Sequence, residues 1–243
     1  MRVLVIGGSG YVAGLVRPVL AAQHDVRVLD PRPSAGDHDR DHVLGTATDP
    51  VALARAMRGV DAVVHAALGA VDEDGFARAA QAFEVNVTSV HLTLLAAHQA
   101  GVRHVVHLSS LSVYQDCAER RLDESVPPDA TDLYGLTKRL AEQVCEAAVA
   151  QWGMSVTVLR LAWPTTDEAW PAWALPGAEP VLNRAADGTL LPALAAGDLS
   201  RAVLAALEHR EGFAVFHVTG DGSGRRWNPA KAGNGLGWRA LRR

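Results

Sequence analysis

Short, continuous apolar runs recur along the first two thirds of the chain and predict strands at Arg2–Ile6, Asp25–Leu29, Asp61–His65, Val102–Leu108 and Ser155–Leu161. The stretches between them predict helices at Tyr11 to about Gln23, Pro50 to about Arg58, Phe76–Ala100 and Leu133–Gln151. Strands that are apolar at successive positions are typical of a sheet covered on both faces. Their alternation with helices predicts the α/β class, with a doubly wound parallel sheet of the Rossmann type.

The repeating pattern ends after Leu161. Residues 163–191 are rich in Pro, Trp and Ala and show no clear period. Beyond them, Asp198 is expected to cap a helix over Leu199–Glu208, and Phe213–Val218 is expected to form a short strand. We therefore predict a nucleotide-binding domain at 1–162. A smaller, discontinuously packed substrate-binding cap is expected at 163–243.

Composition narrows the class of protein. The 243 residues are 49% hydrophobic and 21% charged, as expected of a globular chain. With a net charge of −4, the chain has no excess of basic residues that would favour binding to nucleic acid. No apolar run approaches the ~20 residues of a membrane span, and Val3–Ile6 is too short for a signal peptide. We expect a cytoplasmic protein that binds neither nucleic acid nor membrane, with Cys117 and Cys145 as isolated thiols.

A polar loop is predicted at Pro31–Asp41. It carries the run Asp37-His38-Asp39-Arg40-Asp41-His42, whose residue types suit a metal ion. The run lacks a spaced partner cluster, so a solvated loop is the better interpretation. No metal site is predicted.

A glycine-rich turn, Gly7-Gly8-Ser9-Gly10, joins the first strand to the first helix. Glycines there let backbone N–H groups approach a phosphate, and the helix N-terminus adds partial positive charge. The turn predicts a dinucleotide site, although a tight structural turn has the same composition. About twenty residues later, Asp30 ends the second strand, where a carboxylate accepts the ribose hydroxyls of NAD and repels a 2′-phosphate. Arg32 keeps NADP open, but NAD is favoured.

Tyr134 and Lys138 lie four residues apart on a predicted helix and so share one face. The chain has three tyrosines and only two lysines, which makes a chance pairing rare. An ammonium beside a phenol favours the phenolate, so the pair predicts a proton acceptor that works near neutral pH. Ser110 follows a predicted strand, at the edge where ligands of α/β sheets bind, and is placed to bond the same substrate oxygen.

His104 and His107 lie in or beside the predicted strand that precedes Ser110, and they are better interpreted as packed or edge side chains than as catalysts. His65-Ala66-Ala67 follows another predicted strand, where small residues let backbone lie against a cofactor. Asn86 sits within a predicted helix. It is equally well interpreted as a polar anchor or as a surface residue.

These motifs, in this order, resemble the extended short-chain dehydrogenase/reductase superfamily, of the NAD-dependent epimerase/dehydratase type. The matching segments are residues 5–12, 61–67, 86–88, 108–114, 134–138 and 159–160. The resemblance implies Tyr134 as general base, Lys138 as holder of the nicotinamide ribose, and Ser110 as catalytic serine, with Ser112 as its fallback. It also implies an NAD site and a homodimer through the two long helices. The implied cofactor residues are Gly7, Gly10, Tyr11, Val12, Asp30, His65, Ala66, Ala67, Asn86, Tyr134 and Lys138.

The resemblance further implies hydride transfer from a sugar or sugar-acid carbon to NAD. Dehydratases of the family carry an Asp-Glu pair after the catalytic serine, and Leu111-Ser112 stands there instead, which disfavours dehydration. A nucleotide-sugar epimerase that retains NAD stays open, as does a non-catalytic dinucleotide sensor. Other departures are Thr46 in place of an adenine-binding Asp and Gln115 in place of a Gly.

The region after Arg160 is short for a nucleotide-sugar enzyme and resembles that of uronate dehydrogenases, as do Leu133-Tyr134-Gly135 and Leu236-Gly237-Trp238. A guanidinium binds a carboxylate bidentately, so Arg160 or Arg184 is a candidate clamp for an acid substrate. The candidate substrate residues are Ser112, Tyr114, Arg160 and Trp163.

Overall fold

The computed structural model describes residues 1–33, 41–71 and 75–242. In this range seven strands form one parallel sheet in the order β3-β2-β1-β4-β5-β6-β9. The strands are β1 (Arg2–Ile6), β2 (Asp25–Asp30), β3 (His42–Leu44), β4 (Ala62–His65), β5 (His104–Ser110), β6 (Ser155–Leu161) and β9 (Phe213–Val218). A separate parallel pair consists of β7 (Pro164–Thr165) and β8 (Leu194–Ala195). The predicted fold class is confirmed.

Helices cover both faces of the sheet. They are α1 (Tyr11–Gln23), α2 (Pro50–Ala56), α3 (Phe76–Phe83), α4 (Ser89–Gln99), α5 (Leu133–Trp152), α6 (Ala196–Glu208) and α7 (Ala230–Gly235). One apolar core lies between the sheet and α1 with α6, and the other lies between the sheet and α2, α4 and α5. None of the helices in the described ranges is both long and apolar enough to cross a membrane.

The predicted helix over Phe76–Ala100 is a chain of three segments. α3 and α4 are joined by one stretch of π-helix, Glu84–Thr88, which contains Asn86. Single π-turns of this kind are frequent at functional sites, because the extra residue re-aims a side chain. The local result here is that Asn86 is buried instead of lying on the surface.

The boundary predicted at residue 162 does not separate the sheet from a cap. β9 is the edge strand beside β6, and α6 packs against α1 on the sheet. The sheet therefore draws on both parts of the chain. Sequence order shows that Phe213–Val218 forms a strand, but it does not show which strand it pairs with.

Two local expectations also change. Asp198 lies in the first turn of α6 and is not its cap, because the helix begins at Ala196. Its carboxylate instead accepts hydrogen bonds from the backbone of Leu241 and Arg242, at 3.1 and 3.3 Å. Of the metal-like run, residues 37–40 lie outside the described residues, and His42 begins β3. The described residues contain no group of three His, Cys, Asp or Glu side chains that suits a metal ion.

Candidate active site

A cleft of about 980 Å³ opens at the carboxyl ends of the parallel strands. Its walls include the residues that end or directly follow β1, β2, β4, β5 and β6, such as Gly7, Asp30, Ala66, Ser110 and Leu161. This is the edge at which open α/β sheets bind ligands, because the loops diverge there and leave space between them. Most of the sequence-predicted site residues line this one cleft.

The glycine-rich turn lies on the floor of the cleft. Gly7 has φ +75°, and a Cβ on it would lie 2.5 Å from Ala67 Cα, so only glycine fits between the ends of β1 and β4. α1 begins after Gly10 with no side-chain cap and no acidic residue in its first turn. Its first N–H groups are thus left for another acceptor, and Gly10, Tyr11 and Val12 all line the cleft. The turn fits the pyrophosphate of a dinucleotide.

Asp30 ends β2 at the rim of the same cleft and is 2% exposed. Its carboxylate accepts the backbone N–H of Ser9 at 3.0 Å and of Arg32 at 2.9 Å. The Arg32 guanidinium also donates to it at 3.3 Å, so this arginine is engaged with the carboxylate. A fixed carboxylate here favours ribose hydroxyls over a 2′-phosphate.

Ser110, Tyr134 and Lys138 meet at the centre of the cleft. The Ser110 hydroxyl hydrogen-bonds the Tyr134 phenol. Lys138 Nζ donates to the Leu108 carbonyl at 3.0 Å and lies 6.0 Å from the centre of the Tyr134 ring. One of the three ammonium protons is therefore used by the protein, which leaves two donors for a ligand.

The start of α5 brings Tyr134 to Ser110. Asp132 caps the helix by accepting the Gly135 N–H at 2.9 Å. A Cβ on Gly135 would collide with the carbonyl oxygen of Ser112, so glycine lets α5 approach the segment that follows β5. Gly135 was not among the predicted site residues. Its place beside Tyr134 in the motif is the signal that points to it.

Burial dominates the pKa shifts of Tyr134 and Lys138. Desolvation raises the pKa of Tyr134; the hydrogen bond from Ser110 opposes this, and Asp132 adds to the rise. Desolvation also lowers the pKa of Lys138 to about 8, against an opposing effect of Glu142. The Lys138 ammonium donates to the Leu108 carbonyl, so burial and not a hydrogen bond from this lysine sets the direction of the Tyr134 pKa shift.

Asn86 does not line the cleft, although the resemblance implied a cofactor role. Its amide oxygen accepts the Gly69 N–H at 2.8 Å, and its nitrogen donates to Thr137 Oγ1 at 3.1 Å. Thr137 in turn donates to the Tyr134 carbonyl at 2.9 Å. Asn86 is therefore an anchor that holds the loop after β4 against α5, the helix that carries Tyr134.

His65 also points away from the cleft, whereas Ala66 and Ala67 line it. The His65 ring is 1% exposed, and its Nε2 lies 3.0 Å from Ser89 Oγ. Burial and the nearby Lys138 charge lower the pKa of His65 to about 3 and keep the ring neutral. His65 therefore packs under the site, as predicted for His107, whose ring centroid is 5.3 Å away.

Tyr114 and Arg160, two predicted substrate residues, do not line the cleft. Arg160 is 4% exposed and forms an ion pair with Glu142, with Nη2 2.6 Å from Oε2. Its Nη1 donates to the Tyr114 hydroxyl, whose oxygen is 3.1 Å from His217 Nε2. Ser109 completes this buried network by donating to Glu142 Oε1 at 2.6 Å. The guanidinium is thus occupied within the protein. The other candidate clamp, Arg184, is exposed and also lies outside the cleft.

The region after Ala162 closes one side of the cleft with Trp163, Pro164, Trp173, Leu175 and Trp227. The Trp163 and Trp227 rings lie 5.5 Å apart, and Trp227 Nε1 donates to the Cys117 carbonyl at 2.9 Å. Trp163 adopts φ +46°, a conformation that costs a bulky residue about 1–3 kcal/mol and is concentrated at functional sites. Of this set only Trp163 was predicted.

Tyr11 has a second role, which sequence reasoning missed. Its hydroxyl donates to the Ala174 carbonyl at 2.6 Å. The contact joins the first turn of α1 to the chain between Trp173 and Leu175. The residue that follows the glycine turn therefore also holds the opposite wall of the cleft.

The model of the NAD dependent epimerase/dehydratase family matches residues 3–165. A UDP-glucose 4-epimerase from Lactobacillus helveticus is 29% identical over 66% of this chain and 51% of its own length. A 3-beta-hydroxysteroid dehydrogenase from Mycolicibacterium neoaurum is 34% identical over 65% of this chain and 46% of its own. The chain therefore spans about half the length of the curated relatives it matches.

Solved structures match nearly the whole chain. A short-chain dehydrogenase/reductase superfamily protein from Agrobacterium tumefaciens with bound NAD has a TM-score of 0.83 and 25% identity, over 99% of this chain and 92% of that one. A mutant uronate dehydrogenase from the same organism, complexed with NAD, has a TM-score of 0.76 and 21% identity, over 98% and 83%. The likeness to uronate dehydrogenase holds at the level of the fold.

Proposed function

Because the chain belongs to the NAD dependent epimerase/dehydratase family, we propose that it is an oxidoreductase that oxidises the carbinol of a sugar or sugar acid. The observation that carries this proposal is that Ser110, Tyr134 and Lys138 share one cleft with the glycine turn and Asp30. NAD is the cofactor of the family, and the uncapped turn and the fixed carboxylate fit it. A sensor that only binds a dinucleotide has no need of the catalytic group.

Each residue has a distinct task. Bound NAD would accept the hydride of the carbinol carbon. The glycine turn and the N-terminus of α1 would hold its pyrophosphate, Asp30 its adenine ribose, and the two remaining Lys138 donors its nicotinamide ribose. Ser110 hydrogen-bonds the Tyr134 phenol and is placed to bond the substrate oxygen as well.

Tyr134 removes the hydroxyl proton as the carbon loses its hydride, so the carbinol becomes a carbonyl by loss of two electrons and two hydrogens. Burial raises the pKa of this phenol, so the phenolate requires positive charge close by. Lys138 Nζ lies 6.0 Å from the centre of the Tyr134 ring, and in this proposal its charge is needed for the proton transfer. General base catalysis of this kind contributes about 10²–10⁴-fold to the rate.

The relatives include a UDP-glucose 4-epimerase and a 3-beta-hydroxysteroid dehydrogenase. Both names denote chemistry at a ring-bound secondary alcohol. A sugar epimerase with retained NAD is the second candidate, because it needs little beyond the serine, tyrosine and lysine of this cleft. A dehydrogenase releases reduced cofactor, whereas an epimerase returns the hydride.

The test mixes the purified protein with NAD and a panel of sugars, sugar acids and nucleotide sugars, and follows the absorbance of reduced cofactor. Tyr134→Phe is expected to lower kcat/KM by about 10²–10⁴-fold, because the general base is lost. Tyr114→Phe is the matched control: the same atom is removed from a tyrosine outside the cleft, and turnover per folded molecule should be kept.

A sugar product that changes configuration without net formation of reduced cofactor would assign the epimerase. If Tyr134→Phe retains full turnover, the proposed role of Tyr134 is wrong. The homodimer through the helical stretches Phe76–Ala100 and Leu133–Gln151, the cytoplasmic location and the substrate-binding role of residues 163–243 stay predictions.

A further inference from the structure

Among the residues that the structure describes, the wall of the cleft contributed by the region after Ala162 contains no charged side chain. We call it the tryptophan wall; it comprises Trp163, Pro164, Trp173, Leu175 and Trp227. Within the described part of the chain, the charged residues that line the cleft come before the end of α5: Asp30, Arg32, Arg78, Glu84 and Lys138. Of these, Asp30, Arg32 and Lys138 belong to the cofactor and catalytic groups described above.

The tryptophan wall lies beside the catalytic serine. β6 pairs with β5 so that Leu161 is opposite Ser110, and Trp163 follows two residues later. Trp163 and Trp227 pack in one apolar cluster with Leu111, the residue after Ser110. A substrate whose hydroxyl reaches Ser110 and Tyr134 therefore has the rest of its body against this wall.

The polar atoms near the wall are already used or neutral. The Trp227 indole N–H is bonded to the Cys117 carbonyl. Cys117 also lines the cleft, and burial raises the pKa of its thiol to about 11, so it is uncharged at neutral pH. Arg160 does not line the cleft, and its guanidinium is already bonded to Glu142 and Tyr114, so it is not available to bind a substrate.

We propose that the substrate is an uncharged, ring-bearing secondary alcohol whose apolar face lies on the tryptophan wall, and that acids and nucleoside diphosphates are poor ligands. The inference rests on the proposed function and narrows its substrate class. Aromatic rings bind the apolar face of a ring by contact area, whereas a carboxylate or diphosphate placed against them loses water without gaining a partner.

The test compares ligands that differ only in charge. Hexuronic acids and their methyl esters are titrated into the full-length protein with saturating NAD, and binding is read from tryptophan fluorescence. The ester is expected to bind at least about tenfold more tightly than the acid, because it spares the cost of an unpaired carboxylate. A UDP-sugar, as the third ligand, is expected to bind no better than the acid.

A smaller ratio, tighter binding of the acid or the UDP-sugar, or no binding of the ester overturns the substrate inference. The proposed function has its own readout: it fails if the ester binds but neither reduced cofactor nor an epimer forms. The two failures are therefore distinguishable.

A variant pair tests whether the wall causes the preference. Leu175 is 44% exposed at the rim of the wall, so substitution there spares the core. Leu175→Arg is expected to shift the ester-to-acid ratio toward the acid by at least about threefold, because it places a cation on the tryptophan wall. Leu175→Gln is the matched control of similar size without charge. Equal ratios in the two variants would contradict the inference.

Discussion

Two buried charged residues lie one helical turn apart on α5, and they differ in what satisfies them. Glu142 has a full set of protein partners, with Arg160 and Ser109 both donating to it. Lys138 has one carbonyl partner and faces the cleft. Glu142 is buried but paired within the protein, so its partners depend on one another. Lys138 is buried with unused donors, which costs stability and leaves those donors available to a ligand.

The contrast follows from sheet register. Ser109 pairs with Arg160 across β5 and β6, and both contact Glu142. Ser110 pairs with Leu161, and both line the cleft; Ser109 also borders it, but its hydroxyl donates to Glu142. Because successive side chains of a strand point to opposite faces, the two neighbouring serines meet different partners.

The largest effect is expected on the structural side. Arg160→Met leaves Glu142 charged and buried without its partner, which costs about 3–5 kcal/mol in the free energy of unfolding. Urea unfolding measures it. Turnover per folded molecule should change little, because Arg160 does not line the cleft.

The double variant Arg160→Met with Glu142→Leu sharpens this test. Replacing both members of a buried ion pair by apolar residues of similar size is often nearly neutral. We therefore expect the double variant to be more stable than Arg160→Met alone. Additive losses would mean that the two residues act independently and that the network is not a unit.

The strands were the most predictable part of the fold. β6 and β9 have the predicted bounds, because uninterrupted apolar runs admit few alternatives. β3 was missed, since its three residues follow a polar loop and carry almost no pattern. The pairing of β9 with β6 was not predictable either, because the partner lies about fifty residues earlier in the chain.

The grouping of Ser110, Tyr134 and Lys138 in one cleft was predictable from the motifs, whereas the pairing of Arg160 with Glu142 was missed. A single charged residue within an apolar strand needs a buried partner, and Glu142 lies four residues after Lys138, on the buried face of the same helix. That signal was present in the sequence. The tryptophan wall was harder to predict from the sequence, because its residues come from segments that show no periodic pattern.

Lys138→Met should lower turnover without lowering stability, the opposite of what is expected for Arg160→Met. It removes a positive charge required at the cleft, so kcat/KM is expected to fall by about 100-fold. Stability should rise by about 1–2 kcal/mol, because burial disfavours the ammonium and methionine fills the same space.

Lys231→Met is the matched control for that change. Lys231 is the only other lysine of the chain, and it is exposed on α7. Neither stability nor turnover should change much in this variant. A loss of stability in Lys138→Met as large as that of Arg160→Met would contradict the distinction drawn between the two regions.

The pH dependence of Lys138 gives the smallest and most specific effect. Its pKa is lowered from 10.5 to about 8 in the folded chain, chiefly by desolvation. Below pH 8 both the folded and unfolded states are protonated, so the group adds no pH dependence there. Between about pH 8 and 10.5 the unfolded state holds the extra proton, so the free energy of unfolding rises with pH.

Between pH 7.5 and 9.5, we expect the cofactor-free wild type to gain about 1–2 kcal/mol relative to Lys138→Met in urea unfolding. Subtracting the variant removes the contribution of every other titrating group. Turnover of the wild type should fall across the same pH range, because proton transfer to Tyr134 needs the lysine charge. Stability that fell together with turnover would show that another group titrates in this window. A free energy of unfolding that rises with pH while turnover falls would show that the Lys138 charge destabilises the fold and serves the cleft.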